Sequence, residues 1–344
     1  MTAPILVVRN LHVRFPVKRG FFGRTVGHVR AVDGVDLTIR PGETLGLVGE
    51  SGCGKTTLGR SIARIITPTS GEILYRDAAG ADVDLATAPN YELRELQRQV
   101  RVVFQDPFSS LNPRMTLLQI VGEPLRNHGV ATGSELEDRV AGMLQRVGLS
   151  PKYLHRYPHA FSGGERQRVN IARALILEPR LVIADEPVSA LDVSVRAQIL
   201  NLLRDLQDEF GLTYLFISHD LSVVESVCDR VAVMYLGRLV EVADTGDLYT
   251  RPRHPYTEAL LSAVPRPDPR LRDSGRRIRL ADDLPDPADP PPGCTFHTRC
   301  RYAVAGTCDV PGGAPVLAQT AHGHRAACLR TNELDLAGIE PDPV

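Results

Sequence analysis

The sequence carries almost no net charge: 40 basic residues stand against 41 acidic ones, a formal −1. Without a global basic field the chain is a poor partner for nucleic acid, and none is expected. No uninterrupted apolar run approaches the roughly 20 residues that a membrane-spanning helix needs. The opening MTAPILVVRN lacks a basic stretch followed by a long apolar one, so no secretory signal is expected. Together these absences place the chain in the cytosol, with any membrane contact made through a partner. Internal repeats and sustained heptads are missing too. Cysteine is scarce: of six in all, Cys294, Cys300, Cys308 and Cys328 stand together near the end. Cytosolic thiols stay reduced, which counts against disulfides as the reason for that grouping.

What is present is length, 344 residues with 43% hydrophobic. That is enough for one large domain with an appendage, or for two domains. Residues 5–15 and 32–39 alternate in part and read as half-exposed antiparallel strands. The basic, Gly-rich PVKRGFFGRTVGHV between them reads as a hairpin or loop excursion. TLGLVG is a short apolar strand, followed by a helix with Leu58, Ile62, Ile65 and Ile66 on one face. Leu136, Val140, Met143, Leu144 and Val147 recur at helical spacing.

Three runs, LVIA (181–184), TYLFIS (213–218) and VAVMY (231–235), are near-continuous and fit strands buried on both faces of a parallel sheet. Between the first two, Val195, Ile199, Leu202, Leu203, Leu206 and Phe210 mark an amphipathic helix. The expected fold is α/β, with antiparallel strands at the start and a helical insertion between about 90 and 165. From 265 to 292 the composition turns to Pro, Asp and Arg, an extended linker, and the cysteine-bearing stretch follows. The chain divides accordingly into 1–265 and 266–344.

GESGCGKTT, residues 49–57, satisfies G-x-x-x-x-G-K-[ST] between a strand and a helix, the setting the motif requires. Gly49, Gly52 and Gly54 let the backbone curl so that its N–H groups, with Glu50, Ser51, Cys53 and Thr57 in the same loop, face phosphate oxygens. The helix starting near Lys55 adds its positive end. Lys55 is placed for the β- and γ-phosphates and the Thr56 hydroxyl for Mg²⁺, so the ligands expected are ATP and Mg²⁺. Cys53 has no base near it in sequence and reads as a filler position open to thiol reagents. After LVIA come Asp185, placed to hold Mg²⁺, and Glu186, placed to orient or deprotonate the attacking water.

FSGGERQR (161–168) resembles the LSGGQ signature of ABC-transporter ATPases, though Ser162–Gly164 alone would also fit a helix N-cap. The remaining motifs stand in family order. Gln105 in VVFQDP resembles the Q-loop, SALD (189–192) the D-loop, and His219 in FISHD the switch histidine. The resemblance covers roughly the first 265 residues and implies a P-loop NTPase core of the ABC type. It further implies a head-to-tail pair in which Ser162, Gly163 and Gly164 meet the γ-phosphate held by a partner. His219 would hold Glu186 and the water in line, Gln105 would sense Mg²⁺ or the water, and Asp192 would link the two sites. Phe161 and Glu165 depart from the family's Leu and Gln, the latter putting a side-chain contact to the nucleotide in doubt. Phe15, or else Phe22, is the aromatic expected to stack on adenine.

FQDPFSSLNPRMT, DEPVSALDVSVRAQILNLL and RPRHPYTEALLSAVP resemble the ATPase subunits of bacterial oligopeptide and dipeptide importers. That resemblance implies a second, different ATPase subunit, two membrane permeases contacted just after Gln105, and an extracytoplasmic binding protein. It sets the chain on the cytoplasmic face of the membrane. Nickel complexes or other small solutes are alternative cargoes. A soluble ABC ATPase of DNA repair or the ribosome is disfavoured by one ATPase unit and a neutral charge.

The four late cysteines follow C-x5-C-x7-C-x19-C, wider than paired C-x2-C zinc knuckles. Four thiolates match what a [4Fe–4S] cluster needs. Zinc stays open, with His297, His322 and His324 as further ligands. Some importer ATPases of the resembled group carry such a cluster in their C-terminal extension, which favours iron and a structural role.

Overall fold

The structure, a computed structural model, describes residues 3–20, 24–106, 110–264, 277–280, 284–320 and 324–339. Phe22, His322 and part of both the linker and the segment after Gln105 lie outside them. In chain order the first strands are β1 (Leu6–Arg19), β2 (Arg24–Ile39), β3 (Thr44–Val48), β4 (Ser70–Arg76) and β5 (Asp82–Asp84). Next come β6 (Val100–Val103), β7 (Leu181–Asp185), β8 (Thr213–Ile217), β9 (Arg230–Tyr235) and β10 (Arg238–Asp244). Two short strands, β11 (Ala318–Gln319) and β12 (Arg325–Ala326), follow late in the chain.

Among the described residues the strands sort into two sheets. One is antiparallel, in the order β2-β1-β4-β5. The other runs β11-β12-β10-β9-β3-β8-β7-β6, with the strands from β9 to β6 parallel. β3, β7, β8 and β9 are buried at every residue, as their unbroken apolar runs require. Alternate side chains enter different cores. Val182 and Ala184 join helices Leu117–Asn127, Gly133–Arg146 and Val193–Phe210 on one face, whereas Leu181 and Ile183 join helix Lys55–Ile62 and the antiparallel sheet on the other. The loop at the end of β3 is thus held between two packed layers.

The Gly-rich stretch is a hairpin, one of the two readings expected, its strands pairing as far as Arg19 and Arg24. Two expectations change. Helix Lys55–Ile62 stops before Ile65, because Arg64 adopts a left-handed φ of 54°, and Ile65 stands 51% exposed. The stretch from 90 to 165 is not one helical insertion. It contains β6, which pairs with β7 as the edge of the main sheet, before helices Leu117–Asn127 and Gly133–Arg146.

The late segment completes the main sheet at its other edge. β12 pairs with β10, matching Ala326 to Glu241, and the Ala327 N–H donates to the Val240 carbonyl at 2.8 Å. The fully buried Glu241 carboxylate accepts from the His254 N–H at 3.0 Å and, at 2.6 Å, pairs with His324 Nε2. A carboxylate buried this deeply is tolerated only with such partners. The cysteine-bearing extension is therefore stapled to the core.

Candidate active site

Beyond Val48 the chain turns sharply. Gly49 has φ 150°, and a Cβ there would lie 2.2 Å from the Met234 carbonyl; Gly54 has φ 110°, and a Cβ would lie 2.1 Å from the Ala31 carbonyl. Only glycine fits either place. The helix then starts at Lys55. Lys55 is buried, and its Nζ donates to the Gly49 and Glu50 carbonyls at 2.7 and 2.9 Å, a cation folded over the centre of the loop. Ser51, Gly52, Thr56 and Thr57 line one pocket with Gln105 and Glu186. Cys53 corrects an expectation. It is 1% exposed and burial pushes its thiol above the ordinary value, so it is shielded from thiol reagents.

At the end of β7 the two acids part ways. Asp185 Oδ1 accepts from the Thr56 hydroxyl at 3.0 Å, while Oδ2 is buried with no hydrogen-bond partner and has Arg60 at 3.9 Å. Burial raises the Asp185 pKa, opposed by the Thr56 hydrogen bond. Glu186 takes a left-handed φ of 47°, costly for a residue with a Cβ, and its N–H donates to the Ile217 carbonyl of β8 at 3.0 Å. This twist turns the side chain between two others. Gln105 Nε2 donates to one carboxylate oxygen at 2.9 Å, and His219 Nδ1 stands 3.1 Å from the other. Three motifs distant in sequence meet on one carboxylate.

Ser162, Gly163, Gly164, Glu165, Asp192 and Phe15 do not line that pocket. Ser162 caps helix Gly163–Leu175: Glu165 returns a carboxylate oxygen to the Ser162 N–H and hydroxyl at 2.9 and 2.8 Å. A Cβ on Gly164 would meet Val195 Cγ1 at 2.5 Å, so the second glycine serves helix packing. Asp192 precedes helix Val193–Phe210 on the surface, beside Val193 at 80% exposure. Phe15 is 39% exposed and pairs across the hairpin with Val29, which does line the pocket.

Sequence reasoning missed a second set of residues. The Glu50 N–H donates to the Tyr256 hydroxyl at 2.9 Å, Arg299 forms a two-point ion pair with Glu50, and Pro287 lines the pocket. Nothing in the motif spacing marks them, since the partners lie hundreds of positions apart.

All six cysteines are free. Burial raises the Cys294 thiol to about 11, with Cys328, Cys300 and Cys308 adding to the rise, so the four sulfurs share one neighbourhood. Among the described residues, however, no three His, Cys, Asp or Glu side chains are gathered closely enough to hold a metal ion. Nor do His297 and His324 turn to the thiols: His297 Nδ1 bonds the Cys294 carbonyl and His324 Nε2 bonds Glu241. The extension as it stands is not a finished metal cage.

A phosphate loop, an acidic strand end and a glutamine–glutamate–histidine cluster on a half-antiparallel α/β core define an ABC-type ATPase. Comparison with known proteins agrees. Residues 32–189 match the ABC transporter family and residues 240–308 the oligopeptide/dipeptide transporter C-terminal region. The dimeric post-hydrolysis structure of the ATP-binding cassette MJ0796 bound to ADP and Pi is 29% identical with a TM-score of 0.61, covering 70% of this chain and 98% of its own. CbiO1 from Clostridium perfringens is 29% identical at 0.59, covering 72% and 90%. The oligopeptide transport ATP-binding protein AppF of Bacillus subtilis is 53% identical over 87% of this chain and 90% of its own length. OppF of Salmonella typhimurium is 47% identical over 96% and 97%. The chain belongs to the family of ATP-binding subunits of oligopeptide ABC transporters.

Proposed function

We propose that this chain hydrolyses ATP to energise peptide import, as residues 1–265 of an ATPase unit carrying the 266–344 extension. It works beside a second ATPase subunit, on the cytoplasmic face of the membrane, bound to two permeases that an extracytoplasmic binding protein supplies. No helix among the described residues is long and apolar enough to cross a membrane. The reading of the chemistry is carried by the meeting of Gln105 and His219 on the Glu186 carboxylate. Peptide as cargo is supported by the relatives' names and by the matched C-terminal region.

The residues fit ATP and Mg²⁺. Thr56 and Asp185 are already joined, and the unpartnered Asp185 Oδ2 is a buried acceptor that a cation would satisfy. Thr56, Asp185 and Gln105 would hold the ion, which supplies charge neutralisation at the phosphates when bound. Lys55 exchanges the Gly49 and Glu50 carbonyls for phosphate oxygens, a stronger charge-assisted bond. Glu186 takes the proton as water attacks the γ-phosphorus and the bond to ADP breaks. His219 and Gln105 fix which way that carboxylate points, and the partner's signature motif closes the site on the far side, as this chain's Ser162, Gly163 and Gly164 do for the partner's nucleotide. Phe15 packs on adenine, and Asp192 lies on the face between the subunits.

The four extension cysteines are the ligands of a [4Fe–4S] cluster in this reading, with zinc as its rival. Support comes from four thiols free of disulfides, with Cys300, Cys308 and Cys328 each adding to the rise at Cys294. Because they do not form a closed cage, metal binding must draw them together.

Glu186→Gln keeps shape and hydrogen bonding while removing the base. In the assembled transporter it should bind ATP, cut turnover by at least about 100-fold and prolong the ATP-bound pair. Hydrolysis near the unmodified rate would reject the assignment.

A further inference from the structure

Arg299 reaches from the cysteine-bearing extension to the phosphate loop. Its Nη1 donates to Glu50 Oε2 at 2.9 Å and its Nη2 to Glu50 Oε1 at 3.2 Å. Such a fork fixes orientation as well as charge. The Arg299 side chain is 6% exposed and Glu50 27%, so the pair is poorly screened by solvent. Arg299 cannot readily swing away. It closes the short turn His297–Arg299 behind Phe296, which is 2% exposed and packs against Tyr235 and Tyr256 at centroid distances of 5.2 and 5.3 Å. The guanidinium also lies 5.9 Å over the Tyr235 ring. A second stretch of the extension returns to the same pocket: Pro287 lines it, and its carbonyl accepts from the Arg30 N–H at 3.1 Å.

Glu50 is an odd neighbour for a triphosphate. A carboxylate within the loop that receives the polyanion would repel it unless the charge is cancelled and turned aside. We propose that Arg299 is a positioning residue of this chain's own ATP site, which neutralises Glu50 and holds its carboxylate away from the phosphates. Docking of the cysteine extension thereby sets the affinity for ATP. This deepens the ATP-site reading above.

The test compares KM for ATP and the affinity for a fluorescent ATP analogue in the assembled transporter. Arg299→Gln leaves Glu50 uncompensated and should raise both KM and the dissociation constant about tenfold, with kcat moved far less. Arg299→Lys, which keeps charge but loses the fork, should fall between. The deciding variant is Glu50→Gln combined with Arg299→Gln. With the offending charge gone, it should bind ATP within about threefold of Glu50→Gln alone. A double variant as weak as Arg299→Gln would reduce the contact to mere packing and overturn the proposal. So would an unchanged KM in Arg299→Gln. If Arg299→Gln fails to assemble, the double variant, which buries no lone charge, decides by the same threefold mark. A natural complex that binds no ATP would end the parent reading too, whereas ATP binding indifferent to Arg299 would end only this one.

Discussion

A general base, the role proposed for Glu186, works only if its carboxylate stands still, and Glu186 is held at both oxygens by groups from two other strand ends. The cost is a left-handed backbone at a residue with a side chain. His254 shows the same economy in a structural role. Its Nδ1 accepts from the Tyr256 N–H at 3.1 Å and so caps helix Pro255–Ser262 as a neutral ring. Burial depresses its pKa from 6.5 to about 3. Below pH 6.5 the unfolded chain takes up a proton here that the folded chain refuses. Stability is then complete above that pH and falls as pH drops from 6.5 toward about 3, by up to about 1.4 kcal/mol per unit. His254→Asn keeps a capping acceptor and removes the titration. Between pH 7 and pH 5, urea unfolding should show the natural protein losing about 2 kcal/mol more than the variant. Equal losses would mean that His254 is not held neutral.

At the scale of elements, legibility followed the strength of the pattern. Helix Gly133–Arg146 was readable because Leu136, Val140, Met143 and Leu144 recur at helical spacing and are all buried. β7, β8 and β9 were readable as unbroken apolar runs. β6 was not: VRVV is four residues long with a cation inside, and only its partner β7 makes it a strand. The motifs of the proposed ATP site carry their own spacing, and Gln105, Glu186 and His219, named from three separate motifs, do meet in the structure. Tyr256, Pro287 and Arg299 were not legible, because their place at the loop arises when the extension folds back across the sheet. Among its described residues that extension buries few large apolar side chains, chiefly Phe296 and Leu336, which is why a bound metal would matter to it. Protein purified without oxygen should be brown and contain about four irons per chain, and Cys300→Ser should be colourless and iron-free. Stoichiometric zinc without iron would reject the cluster.

In the proposed head-to-tail pair the molecule would present half-sites in two places. The phosphate loop, Gln105 and Glu186 line one pocket, with Asp185 joined to Thr56 and His219 to Glu186, while Ser162, Glu165 and Asp192 do not line it. A helix N-terminus beginning Gly163–Gly164 is a ready anion site, yet here its cap is occupied by the chain's own Glu165. For Ser162 to meet a γ-phosphate, its hydroxyl must leave that carboxylate, and only a partner's nucleotide can be the replacement. Ser162→Ala should therefore cost its own helix about 1 kcal/mol through the lost cap but leave its own phosphate loop competent. The damage should fall on the other subunit. With the two ATPase subunits labelled separately, nucleotide trapping should fail at the loop of the unmodified partner and persist at the loop of the Ser162→Ala chain. Trapping lost only at the altered chain's own loop would mean that the serine serves its own site, and the head-to-tail pair would have to be abandoned.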